Sequence, residues 1–134
     1  MHRIDLPADE LSAERIRREL EGLDYDFDAD TVELLKLTAT ELVTNALRHS
    51  GTDEVIVFVR VGKPSLLIKV CDRGAGFDAR PQEPDPFAEG GRGLFLVEQL
   101  SHSWGTSTVE VDDDSWACVW ACFGAESLPE CIPA

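Results

Sequence analysis

The chain has 134 residues, of which 43% are hydrophobic and 28% charged, with a net charge of −14. That length suits one domain with a real core, and the composition is that of a soluble globular protein. The acidic balance argues against nucleic-acid binding, which needs clustered Lys and Arg, and suits either a solubilising surface or a basic protein partner. No segment reaches the apolar length of a membrane span, and the N-terminus lacks a secretory h-region, so the expected location is cytoplasmic.

His2 to Leu6 alternates as a short first strand. Pro7-Ala8-Asp9 is a turn and a candidate helix N-cap; Leu11, Ile16, Leu20 and Leu23 then recur at helical spacing until Gly22 and the polar run to Asp28. Asp30 with Glu33 resembles a capping box for a second helix from about Thr31 to His49, stopped by Ser50-Gly51. Its core stripe is Val32, Leu35, Ala39, Leu42, Val43 and Ala46. Val55 to Val61 and Leu66 to Val70 are β-branched runs joined by Gly62-Lys63-Pro64-Ser65, which reads as a hairpin. Residues 77–90 contain Pro81, Pro84, Pro86 and Gly90 and are expected to be a mobile loop.

Gly93 to Leu100 reads as a short third helix. Trp104 to Val111 and Trp116 to Phe123 form a strand pair around Asp112-Asp113-Asp114. Residues 1–124 thus make one domain, and 125–134 a frayed tail. The order β-α-α-β-β-loop-α-β-β predicts a two-layer α/β sandwich, its mixed, mostly antiparallel sheet covered on one face by helices. Cys71, Cys118, Cys122 and Cys131 are too few and too irregular for a disulfide framework. Cys118 and Cys122 share a strand face but no His or second Cys pair completes a zinc set, so all four are expected to be small buried hydrophobes.

The chemistry lies in Glu41-Leu42-Val43-Thr44-Asn45-Ala46-Leu47-Arg48-His49-Ser50. At about 100° per residue, Asn45 lies roughly 40° from Glu41 and Arg48 roughly 20° to its other side, with His49 bordering them. Leu34 and Leu37 share this stripe, which implies a covered surface, and polar groups on a covered surface need a polar ligand. An amide oxygen is a hard donor suited to Mg²⁺, which completes its shell with phosphate oxygens and water. Glu41, one turn earlier, is placed to orient or deprotonate a nucleophile beside that ion.

Asp72 ends an apolar strand, where its carboxylate can accept a hydrogen bond from the exocyclic amine of adenine. Gly74 and Gly76 let the base approach the backbone. Taken alone, Asp72-Arg73-Gly74-Ala75-Gly76 is equally explained by a structural turn. Gly90-Gly91-Arg92-Gly93-Leu94 opens a helix with unobstructed N–H groups that suit an anion, and Arg92 adds a cation. A flexible joint explains that motif alone equally well; the three motifs in this order point to a nucleotide site. A Walker-type phosphate loop is absent, and Pro81, Pro84 and Pro86 forbid the helix that a Rossmann fingerprint at Gly74 would have to open.

With these residues in place, the chain resembles the GHKL ATPase superfamily, and within it the small bacterial anti-sigma-factor serine/threonine kinases. The resemblance runs from His2 to about Phe123 and is most specific in the Glu41–Ser50 motif. It implies ATP and Mg²⁺ as cofactors, Glu41 as catalytic base, Asn45 as the metal ligand, and Asp72 with Gly74 and Gly76 around the adenine. It also implies that residues 77–92 are an ATP lid and that Gly91, Arg92, Gly93 and Leu94 hold the phosphates; Arg48 and His49 are further expected site residues. The implied partners are a small antagonist protein, phosphorylated on serine or threonine, and a sigma factor, with a homodimer common in the family. One departure stands out: such proteins usually carry a Gly-Thr or Lys-Thr pair near the adenine, where this chain reads Trp116-Ala117-Cys118. The second reading is a binding module that takes up ATP to order its lid and regulate a partner without catalysis.

Overall fold

The computed structural model describes residues 1–49, 53–62, 65–73, 99 and 101–124. Its elements are β1 (His2–Pro7), α1 (Ser12–Glu21), α2 (Ala29–His49), β2 (Glu54–Arg60), β3 (Leu66–Asp72), β4 (Ser103–Val111) and β5 (Asp114–Phe123). The predicted loop 77–90, the predicted helix from Gly93 to Leu100 (Gln99 excepted) and the tail 125–134 lie outside the described residues.

The five strands form one sheet in the order β1-β2-β3-β5-β4, and every pairing is antiparallel. The sheet was expected to be mixed and mostly antiparallel, and all four described pairings are antiparallel. Two of its hairpins are locally encoded. Asp112 and Asp113 take φ of 51° and 69°, as the two central residues of a type I′ turn require, and short Asp side chains tolerate that region. Between β2 and β3, Arg60 donates from Nε to the Ser65 carbonyl (3.1 Å) and from Nη2 to Ser65 Oγ (2.6 Å), bracing the hairpin.

Period-two alternation sorts the strands cleanly. Val55, Val57 and Val59 of β2, Leu66, Ile68 and Val70 of β3, and Val119, Ala121 and Phe123 of β5 face the helices. They pack against Ile16 and Leu20 of α1 and Leu35, Ala39, Leu42, Val43 and Ala46 of α2, all buried. Burial of this many aliphatic side chains, at about 25 cal/mol per Å², is the main source of stability.

The helix starts differ from expectation: Leu11, not Asp9, is the N-cap of α1, without a side-chain capping bond, and Asp9 Oδ1 instead accepts from the Leu11 N–H (2.8 Å). Asp28, rather than Asp30, caps α2: Asp28 Oδ2 accepts from the Thr31 backbone N–H (3.1 Å) and Oδ1 from the Thr31 hydroxyl (2.6 Å). Those bonds favour the ionised form and lower the Asp28 pKa. At α1, Ser12 is fully buried; its hydroxyl donates to the Pro7 carbonyl and accepts from the Asp9 N–H (3.1 Å).

The segment between the helices is not merely polar: Leu23, Tyr25 and Phe27 alternate inward onto the core. The Tyr25 hydroxyl donates to the Leu20 carbonyl at 2.6 Å, and partial burial pushes its pKa up from the ordinary phenol value to about 12. The folded state therefore holds this proton more tightly, so the stability it confers is complete below pH 10 and lost as pH rises to about 12. Tyr25→Phe should cost about 1 kcal/mol at neutral pH, one net hydrogen bond. Urea titrations should show the gap from wild type closing between pH 10 and pH 12.

The opposite face of the sheet is also apolar. Ile56, Leu67, Cys71, Trp116, Cys118, Trp120 and Cys122 are buried there, and Gly105 makes room for Trp120, since a Cβ at that position would lie 2.7 Å from its ring. Lys69 sits among them with its ammonium 5.6 Å from the Phe58 ring centroid, and burial lowers its pKa. The cysteines are not all inert hydrophobes. Cys71 and Cys118, 47 residues apart, are register partners on β3 and β5 and are joined by a disulfide, with Cα atoms 4.0 Å apart. Sequence spacing carries no trace of that pairing, which only the sheet register creates. Cys122 is buried on the same face and takes no part in this disulfide, and Cys131 lies outside the described residues.

Candidate nucleotide site

One row of residues crosses the helix-facing side of the sheet at the C-terminal end of β3: Leu6, Val55, Asp72, Ala117 and Thr108 are successive cross-strand partners. Leu6 and Val55 are apolar and buried, as the alternation requires. Asp72 is only 2% exposed, a carboxylate at the margin of an aliphatic core. Burying an acid costs free energy unless polar partners meet it, which makes this an unusual position in an otherwise aliphatic row.

The C-terminal end of α2 lies close to that row. From His49 the chain reaches Asp53 in four residues, a span of at most about 14 Å, and Val55 pairs directly with Asp72. Asn45, one turn before His49, is 5% exposed. Glu41 is half-buried one turn earlier, and Arg48 is exposed. The three thus grade from buried to solvent across one side of α2, rather than sharing one environment. Leu34 packs partly against the core whereas Leu37 is 38% exposed, so the described residues cover this side only towards Asn45.

Thr38 was not singled out by the sequence. It stands seven residues before Asn45, within roughly 20° of it around the helix, and its hydroxyl is buried with no hydrogen-bond partner among the described residues. Thr40 and Thr44, by contrast, donate back to the carbonyls of Lys36 (2.9 Å) and Thr40 (2.8 Å). The seven-residue spacing to Asn45 was the signal available. Its flank of α2 is therefore polar at two buried positions inside an aliphatic setting. A hard amide oxygen there fits Mg²⁺, which accepts few protein ligands and takes the rest from phosphate and water.

The remaining expected site residues divide. The backbone of His49 closes α2, and its side chain lies outside the described residues, as do Gly74, Gly76, Gly91, Arg92, Gly93 and Leu94. Within the run expected to carry a threonine, Ala117 is the direct partner of Asp72 on the same face, so a methyl group stands beside the carboxylate. Thr108, the next residue along the row, offers an exposed hydroxyl one strand farther out.

A family model, the histidine kinase-like ATPase domain, matches residues 6–122. The chain belongs to that family. Similar curated proteins include the serine-protein kinase RsbW of Oceanobacillus iheyensis, 33% identical across 55% of this chain and 56% of the relative. RsbW of Listeria monocytogenes serotype 4a is 36% identical across 55% and 57%, and that of Bacillus licheniformis 35% across 63% and 64%. The aligned part thus spans 56% to 64% of those relatives' lengths. A histidine kinase-like ATPase domain binds ATP; among the described residues, the row at Asp72 and the C-terminal half of α2 hold the buried polar side chains Asp72 and Asn45. No helix among the described residues is long and apolar enough to cross a membrane.

Proposed function

We propose that this domain is a cytoplasmic, Mg²⁺-ATP-dependent serine/threonine protein kinase of the anti-sigma-factor type. Its substrate is a small antagonist protein, and it regulates a sigma factor. The observation that carries the reading is the pairing, on one side of α2, of a buried amide at Asn45 with a half-buried carboxylate at Glu41 one turn away. Nucleotide binding alone has no need of a base beside the metal ligand. The names of the similar curated proteins support the same reading.

In this scheme Asn45 is the protein ligand of Mg²⁺, and the bound ion supplies charge neutralisation across the phosphates. Asp72 accepts a hydrogen bond from the exocyclic amine of adenine, while Val55 and Ala117 border it with apolar surface. Arg92 and the amides of Gly91, Gly93 and Leu94 hold the phosphates, with Gly74 and Gly76 beside the base. Glu41 takes the proton from the substrate hydroxyl as its oxygen bonds to the γ-phosphorus and the bond to the β-γ bridging oxygen breaks, leaving ADP. Incubation with γ-labelled ATP, Mg²⁺ and the antagonist protein should move label onto a serine or threonine. Absence of transfer with intact nucleotide binding would replace the kinase by its alternative.

That alternative is a non-catalytic ATP-binding module whose lid controls partner binding. Ala117 beside Asp72 favours it, because one polar contact to the base is replaced by a methyl, weakening ATP by about 1 kcal/mol. It requires nucleotide-dependent partner binding that ignores the loss of Glu41.

A further inference from the structure

Asp72 is held between two anchors on the far side of the sheet. Its side chain is on the helix-facing side, so its neighbours Cys71 and Arg73 project to the opposite face. Cys71 is tied to β5 through Cys118. The Arg73 guanidinium makes three further connections: an ion pair with Glu54 at the start of β2, a second with Asp114 at the start of β5 (3.5 Å), and a stack over the Trp116 ring (4.6 Å to the centroid). One side chain therefore joins three adjacent strands at the end of the sheet where the base-reading carboxylate sits.

We infer that Arg73 is a positioning residue for Asp72: by clamping β2 and β5 to the end of β3 from the outer face, it sets where the carboxylate meets the purine. The inference rests on the proposed reading of Asp72 as the adenine contact. A single exposed ion pair would contribute little, but a planar guanidinium shared by two acids and an indole is fixed in orientation. The grip of the Arg73 side chain on Glu54, Asp114 and Trp116 therefore fixes the backbone direction at residue 73. Arg73 touches neither nucleotide nor metal, and its action is through its neighbour. A hydrogen bond to a buried carboxylate depends steeply on angle and distance, so a small rotation of β3's end suffices to weaken it.

The readout that separates positioning from bulk stability is base discrimination. Affinities of the full chain for ATP and for purine riboside triphosphate, which lacks the 6-amino group, are measured by calorimetry with Mg²⁺. Wild type should prefer ATP roughly tenfold to a hundredfold, the usual penalty when a site built for a hydrogen bond meets an analogue without it. Arg73→Ala should lower that ratio by about threefold or more through loss of ATP affinity, with the analogue's affinity unchanged. Glu54→Gln combined with Asp114→Asn alters one half-buried and one exposed position, keeps the arginine and should lower the ratio in the same direction. That variant serves if Arg73→Ala does not fold. A wild-type ratio retained by either folded variant overturns the positioning role and leaves the adenine contact standing. A wild-type ratio near one sinks the Asp72 reading and this inference together.

Discussion

Asn45→Ala should abolish Mg²⁺-dependent ATP binding while leaving the fold in place. The amide is 5% exposed on the flank of α2, and in the proposed site it is the single protein oxygen on the metal. Losing a metal–ligand bond costs several kcal/mol; at about 3 kcal/mol the dissociation constant rises more than a hundredfold. Calorimetry with ATP at millimolar Mg²⁺ should give clear heat for wild type and none for the variant. Thermal melts supply the control: nucleotide at a hundred times its dissociation constant stabilises wild type by about 2.7 kcal/mol and should not move the variant. Chelating the metal from wild type should reproduce the variant's behaviour, because ion and amide act as one contact. Binding that survives both treatments would remove Asn45 from the site.

Glu41→Ala should separate binding from chemistry. Removing a general base typically costs a factor of 10² to 10⁴ in rate, about 3 to 5 kcal/mol of transition-state stabilisation. ATP affinity should stay within about twofold, because in the proposed mechanism the carboxylate, one turn from Asn45, meets the incoming hydroxyl rather than the nucleotide. Single-turnover label transfer measures the first quantity, calorimetry the second. Unchanged transfer would take the base assignment away from Glu41. Unchanged partner regulation in a variant that no longer transfers label would favour the binding module.

Much of the molecule is legible in the linear chain because its signals are local. The β-branched runs around Val57 and Ile68 and the stripe from Val32 to Ala46 announce their elements through side-chain period, which depends only on neighbouring residues. Tyr25 and Phe27 were missed, and Leu23 was read as the end of the first helix's stripe, because a run dotted with Asp hides a three-residue alternation. Asp28 outcompeted Asp30 as the cap for α2 because its carboxylate reaches both the amide and the hydroxyl of Thr31.

By itself the sequence determined which residues could carry the chemistry: Glu41, Asn45 and Asp72 are polar groups set in apolar stretches, and that conflict with hydrophobic patterning is visible without coordinates. Tertiary structure alone decided what stands beside them. Ala117 faces Asp72, Cys71 bonds Cys118, and Arg73 reaches Glu54 and Asp114, all across strand pairings that join segments as much as 47 residues apart. Register is a property of the folded sheet, set when the whole aliphatic face turns towards the helices. No local pattern encodes which side chain then arrives opposite another.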